Sequence, residues 1–170
     1  MKKIGILAFA ERNYGGVFQY TRSIIDALKE DKSNKYIIFC YENQDSFDNI
    51  GLEVRKIRIN KSNIIKKIIK GIQLFFLVRK PLFFSEEEMT LFEDIDLFLS
   101  PITITYPHFY LNKPFIFTLH DMQERYYPEF FNPKERIIRW LNNRALSKTS
   151  NKIICESNYV KNDIIKFLKV

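Results

Sequence analysis

A chain of 170 residues, 46% hydrophobic and 28% charged, is long enough to bury one domain core and is neither disordered nor fibrous in composition. Two cysteines, Cys40 and Cys155, stand singly in apolar runs, which excludes a disulfide framework and makes a reducing cytoplasm the simplest compartment. The net charge of +7 is local: residues 51–80 carry nine Lys and Arg against Glu53 alone, a patch suited to nucleic acid, anionic lipid or an acidic ligand.

The chain opens on Ile4-Gly5-Ile6-Leu7-Ala8-Phe9. Glu11, Arg12 and Asn13 follow at once with no cleavage signal, so residues 3–9 read as a buried strand and not as a signal peptide. Gly15-Gly16 then leads a helix over 17–30, in which Phe18, Thr21, Ile24, Ile25 and Leu28 share a face. Strands over 36–41 and 53–59 precede a helix over 62–79. A helix at 85–93 and strands at 95–99 and 115–119 follow. Pro133 starts a helix over 134–148, a strand spans 152–155, and Ser157 stands where the N-cap of a last helix, 157–168, belongs. No stretch reaches the roughly eighteen apolar residues of a membrane span. Near-continuous apolar strands alternating with helices predict an α/β domain over residues 1–170, with a mostly parallel sheet and helices on both faces.

In such sheets ligands sit beyond the carboxyl ends of the strands, which directs attention to three places. Gly15-Gly16, between a strand and a helix, offers free amides to a phosphate or simply makes a tight turn; it fits neither GxGxxG nor a P-loop. His120 ends the strand Phe115-Ile116-Phe117-Thr118-Leu119, as a hydrogen-bonding or proton-transfer group at a cleft or as a histidine satisfied by local backbone. Asp121 beside it caps the following turn or joins the cleft. His108, in Thr105-Tyr106-Pro107-His108-Phe109, reads first as surface loop, though its loop points to the same edge.

The helix over 62–79 gathers Ile64, Ile65, Ile68, Ile69, Ile72, Phe75 and Phe76 on one face, with Lys66, Lys67, Lys70 and Gln73 on the other. This pattern belongs to a helix lying in an anionic membrane interface, or to a surface helix packed on the sheet with solvated lysines. No Cys/His cluster, HExxH or fixed-spacing carboxylate pair points to a metal, and no nucleophile motif occurs. The basic segment lacks interleaved stacking aromatics, so nucleic acid is the least supported partner.

Three segments occur together in order: Tyr14-Gly15-Gly16-Val17; Thr118-Leu119-His120-Asp121-Met122-Gln123 with Tyr127-Pro128-Glu129-Phe130-Phe131; and Ile153-Ile154-Cys155-Glu156-Ser157-Asn158-Tyr159-Val160. As a set they resemble the N-terminal, acceptor-side domain of family-4 glycosyltransferases of the GT-B fold, over nearly the whole chain. The resemblance implies a Rossmann-like domain facing a donor-binding domain across a cleft. It implies retaining, metal-independent transfer in which a nucleotide-sugar is co-substrate and no cofactor is needed. It places Gly15 and Gly16 against the donor diphosphate and His120 at the reaction centre; Tyr14, Asp121 and His108 are the further cleft or acceptor candidates.

The donor-binding half, with its Glu-containing motif, is not among these 170 residues. The expectation is an acceptor-binding half in cell-surface glycan biosynthesis, cytoplasmic and held peripherally at the membrane through Lys66, Lys67 and Lys70. Its partners are then a donor-binding domain or subunit and a glycan or lipid-linked acceptor, and alone it transfers no sugar. The alternative is a non-catalytic interaction or regulatory subunit, or a truncated remnant of such an enzyme.

Overall fold

The computed structural model of the chain describes residues 1–58 and 63–170. Ile59, Lys61 and Ser62, which belong to the expected strand, basic run and helix, lie outside the described residues. Six strands, β1 (Lys3–Leu7), β2 (Lys35–Tyr41), β3 (Glu53–Ile57), β4 (Leu97–Ser100), β5 (Phe115–Thr118) and β6 (Lys152–Ile154), form one sheet. Its order is β3-β2-β1-β4-β5-β6, and every pairing is parallel. The chain winds one way from β1 to β3 and the other way from β4 to β6, which is the Rossmann-like order.

Side chains alternate across the pleat, so the two faces of the sheet build two cores. Ile6, Ile38 and Cys40 pack with Phe18 and Ile25 of α1 (Gly16–Leu28). On the opposite face, Leu7, Phe39, Phe98 and Phe117 pack with residues of α2 (Ile64–Phe76), α3 (Glu86–Phe92), α4 (Pro133–Thr149) and α5 (Asn158–Asp163). A π-helical turn, Ile164–Leu168, continues α5 and adds Ile164 and Leu168 to that core. Helix, sheet and helix thus make the three expected layers. Gly5 of β1 faces the second core. A Cβ there would stand 2.8 Å from the Phe39 ring and 2.9 Å from the Phe98 ring, which meet over the central strand. Among the described residues no helix is long and apolar enough to cross a membrane.

Two sequence expectations need correction. The first concerns His108, read as surface loop and cleft candidate. Its side chain is 0% exposed, with its ring 4.3 Å from that of Phe115 and 6.2 Å from that of Phe98. The cause is topological. The link from β4 to β5 contains no helix, yet a parallel crossover must return to the edge where the next strand begins. Residues 101–114 therefore run back over the sheet, and His108, Phe109 and Tyr110 serve as its cover.

The second concerns α2: of its two readings, the surface helix packed on the sheet through its apolar face is the one overturned, because that stripe points outward. Ile64, Ile65, Ile68, Ile72, Phe75 and Phe76 are 48–68% exposed, while Gln73 and Leu74 are buried. Lys66 and Lys70 turn partly inward over the rings of Phe83 and Tyr110, and of the three candidate lysines Lys67 alone is classed as exposed. Burial pushes the Lys70 ammonium below its ordinary pKa. Gln73 has a structural reason to face inward: its Nε2 donates to the carbonyls of Val78 (3.3 Å) and Lys80 (2.8 Å), closing the helix end.

Among the described residues neither ring nitrogen of His108 has a hydrogen-bond partner, and burial, aided by the charge of Arg79, pushes its pKa down to about 3. The unfolded chain takes up this proton near pH 6.5. Between those values the unfolded state binds the extra proton, so acidification destabilises the fold by about 1.4 kcal/mol per pH unit from this group. We predict that His108→Leu flattens the fall in thermal midpoint between pH 6.5 and 4.5. Parallel wild-type and variant curves in circular dichroism melts would contradict this.

Candidate functional site

The strand order reverses between β1 and β4, so the segments leaving their carboxyl ends diverge and leave a crevice. It encloses about 440 Å³, within the usual range for small-molecule sites. Phe9, Ala10 and Glu11 come from the segment after β1, Ile102, Thr103 and Ile104 from the segment after β4, and Leu119, His120 and Asp121 from the segment after β5. Val17 of α1, Tyr41 of β2 and Arg139, Asn142 and Asn143 of α4 complete the walls.

His120 is held on three sides. Its Nε2 lies 2.8 Å from the Pro101 carbonyl oxygen, and its Nδ1 lies 2.9 Å from Glu156 Oε1. A carbonyl only accepts, so Nε2 carries hydrogen; the Nδ1 contact with the carboxylate is bonded when one proton lies between them. The ring stands edge-on to Tyr20, centroids 5.1 Å apart, and Tyr20 Oη shares a 3.2 Å hydrogen bond with Thr118 Oγ1. Loops after β4, β5 and β6 and the second turn of α1 therefore meet at one imidazole.

Gly15 and Gly16 lie on the same rim, between Glu11 and Val17 of the crevice wall. Gly15 adopts φ 56°, ψ −119°, a conformation that disfavours a side chain, and nothing lies within 4 Å of a Cβ built on either glycine. Asn63, Ser85, Asn132 and Ser157 cap α2, α3, α4 and α5 through side-chain oxygens, whereas α1 has no side-chain cap. The first amides of α1 are thus left for another acceptor. The side chain of Tyr14 lies outside the described part of the structure.

Asp121 caps the turn and lines the crevice. Its Oδ1 accepts the Gln123 amide at 3.3 Å, capping the turn, and accepts Arg139 Nη2 at 2.8 Å inside the crevice. Arg139 Nε donates to Glu124 Oε2 at 2.9 Å, and the guanidinium lies 5.1 Å from the centre of the Phe131 ring. Glu124 is 3% exposed, and its other oxygen has no partner among the described residues. Asn143 is equally buried, and its Nδ2 is likewise unpartnered.

Sequence reasoning missed Arg139, Asn142, Asn143, Glu124, Glu156 and Tyr20. Residues 139, 142 and 143 follow i, i+3, i+4 spacing, which places them on one stripe of α4. That polar stripe, on a helix leaving the rim after β5, was the available signal. Glu156 carried none, since only the register of β6 beside β5 brings it to His120. His108, buried beneath the β4–β5 link, does not line the crevice.

The family model described as Glycosyltransferase Family 4 matches residues 14–170. A comparison with curated proteins found no match.

Removing the guanidinium leaves the Glu124 carboxylate enclosed without its counter-charge. Arg139→Ala is expected to lower stability by on the order of 3 kcal/mol, and adding Glu124→Gln should restore most of it. Denaturant melts of the single and double variants check this; additive losses would show that the pair is not coupled.

Proposed function

Because the chain belongs to glycosyltransferase family 4, we propose that residues 1–170 form the acceptor-side half of a retaining, nucleotide-sugar-dependent transferase of cell-surface glycan biosynthesis. The observation that supports this most is the convergence of the uncapped α1 terminus and His120 on one crevice. Gly15 and Gly16 offer amides to the donor diphosphate, and an anion at a helix N-terminus is favoured by the macrodipole. His120 keeps its Nε2 on the Pro101 carbonyl and meets the donor sugar at Nδ1. Glu156, half-exposed, gives way to the incoming hydroxyl.

The donor nucleotide needs a second wall. Among the described residues, the one guanidinium lining the crevice, Arg139, is already engaged by Asp121 and Glu124. A donor-binding domain or subunit supplies the remaining contacts to the diphosphate, no metal is required, and these 170 residues alone turn over no sugar.

In this reading the protein works on the cytoplasmic side of an anionic membrane and rests on it through α2. A helix without acidic residues and with six exposed Ile and Phe side chains fits an interfacial helix. The apolar stripe supplies burial. Lys67 adds attraction on the order of 1 kcal/mol to anionic headgroups, with Lys66 and Lys70 contributing less because they are turned inward.

Radiolabelled transfer should be absent for the 170-residue chain alone and present in a two-domain assembly. There His120→Ala should reduce turnover by roughly 100-fold or more. Turnover by the chain alone would refute the need for a second wall, and wild-type rates for the variant would remove His120 from the reaction centre. In liposome sedimentation, Ile68→Ser/Ile72→Ser/Phe76→Ser should abolish pelleting with anionic vesicles, whereas Lys66→Glu/Lys70→Glu should weaken it only partly. Undiminished pelleting of the triple variant would rule out α2 as the contact.

A further inference from the structure

We infer that α4 is a second lipid-facing element, so that an anionic membrane surface meets α2 and the first two turns of α4 together, an inference that rests on the membrane reading of α2. The two helices touch along one seam. Arg144 Nη1 donates to the Phe75 carbonyl at 2.8 Å, and the Phe75 ring lies 6.4 Å from that of Trp140. The guanidinium stands 5.8 Å and 5.9 Å from the centres of those two rings. Ile137, Trp140 and Arg144 follow i, i+3, i+7 spacing and form one stripe of α4. Ile137 is 59% exposed, and Trp140 is partly exposed. The outward stripe of α2 therefore continues across Phe75 onto α4. Arg139 and Asn142, which line the crevice, project from nearly the opposite side of the same helix. A single helix, about 10 Å across, thus separates the crevice from this outer surface. Because α4 starts from the rim segment after β5, Ile137 and Trp140 sit at the end of the molecule where the crevice opens.

Charge selects the occupant. Besides Arg139, α4 carries Lys134, Arg136, Arg144 and Lys148 against one acid, Glu135. Helical spacing puts Glu135 on the side of Arg139 and Asn142, away from the Ile137 stripe. Among the described residues no carboxylate pairs with any of those four cations. α2 has no acidic residue either. The joined surface is therefore apolar along its middle and cationic beside it. An anionic leaflet matches both features at once, with headgroups for the cations and hydrocarbon beneath for the isoleucines and phenylalanines. The indole of Trp140 suits the boundary between them, having an apolar body and one N–H for the headgroup layer. A second copy of the chain would instead bring like charge against like.

The test uses the 170-residue chain, whose single tryptophan is Trp140. Vesicles of phosphatidylglycerol in phosphatidylcholine should move its emission to shorter wavelength, and lipids brominated on the acyl chain should quench it. Pure phosphatidylcholine should do neither. Lys134→Glu/Arg136→Glu, which leaves α2 intact, should weaken partitioning about tenfold or more. Ile137→Ser should also weaken it, and all three side chains are exposed, so the fold is kept. Pelleting on anionic vesicles with Trp140 unshifted and unquenched, or with partitioning unchanged in both variants, would overturn the inference and leave α2 as the sole contact. An equal response to neutral vesicles would overturn it as well. An emission shift that grows with protein concentration in the absence of vesicles would assign the surface to a second copy of the chain. Absence of all pelleting would refute the membrane reading itself, and the inference with it.

Discussion

A parallel sheet gives its carboxyl rim no structure of its own, because each strand there hands over to a separate loop. In this protein one imidazole supplies what the sheet cannot. His120, leaving β5, bonds the carbonyl of Pro101 after β4 and the carboxylate of Glu156 after β6, while Tyr20 of α1 packs against its edge. Each ring nitrogen has its own partner, so the ring is oriented by both and cannot flip without losing a bond. Loops with few contacts of their own open first in a folded protein. Tying three of them to one side chain gives the crevice a fixed floor, and the positions of Asp121 and Leu119 follow from it.

The two ends of the sheet are organised in opposite ways. At the amino end, Arg55 grips Asp94 through both carboxylate oxygens and also meets Glu53, and Lys3 adds a contact to Asp94. These cations hold the Asp94 carboxyl well below the usual range, and the network joins β1, β3 and the segment entering β4. Its charges are mutually satisfied. At the carboxyl end, by contrast, α1 starts without a side-chain cap, Asn143 Nδ2 and one oxygen of Glu124 lack partners, and Glu156 is half-exposed. Charges closed on themselves stabilise, whereas the uncapped start of α1 leaves amides at the switch-point crevice for a ligand.

The sheet was legible in the sequence because buried parallel strands are apolar on both faces, and all six expected segments form strands. Ser157 was legible as a cap because a side-chain oxygen before a helix has one obvious role; it accepts the Val160 amide at 3.2 Å. The placement of Gly15-Gly16 and His120 on one rim followed from strand ends alone. Contacts set by register did not. Glu156 meets His120 only because β6 lies beside β5, and Arg139 meets Asp121 only because α4 returns across the rim. His108 misled for a related reason: its polarity spoke for the surface, while the helix-free crossover required a cover for Phe98 and Phe115.

The orientation of α2 shows where periodicity stops being informative. A strong apolar stripe identifies a helix with two unlike faces but does not say which face turns toward the sheet. Here the sheet is already covered by Leu74, by the aromatic β4–β5 link, and by Ala145 and Leu146 of α4. Gln73 is drawn inward by the carbonyls of Val78 and Lys80, and Lys66 and Lys70 lay their stems over aromatic rings. With those positions fixed at 66, 70, 73 and 74, helical geometry leaves Ile64, Ile65, Ile68, Ile72, Phe75 and Phe76 no direction but outward. Phe75 meets Trp140 and Arg144 of α4 with part of its ring, while the other five contribute little to packing within the domain. Their exposure leaves an apolar surface uncovered, and the proposed contact with a lipid interface bearing negative charge would cover it with a helix that has no acidic residue.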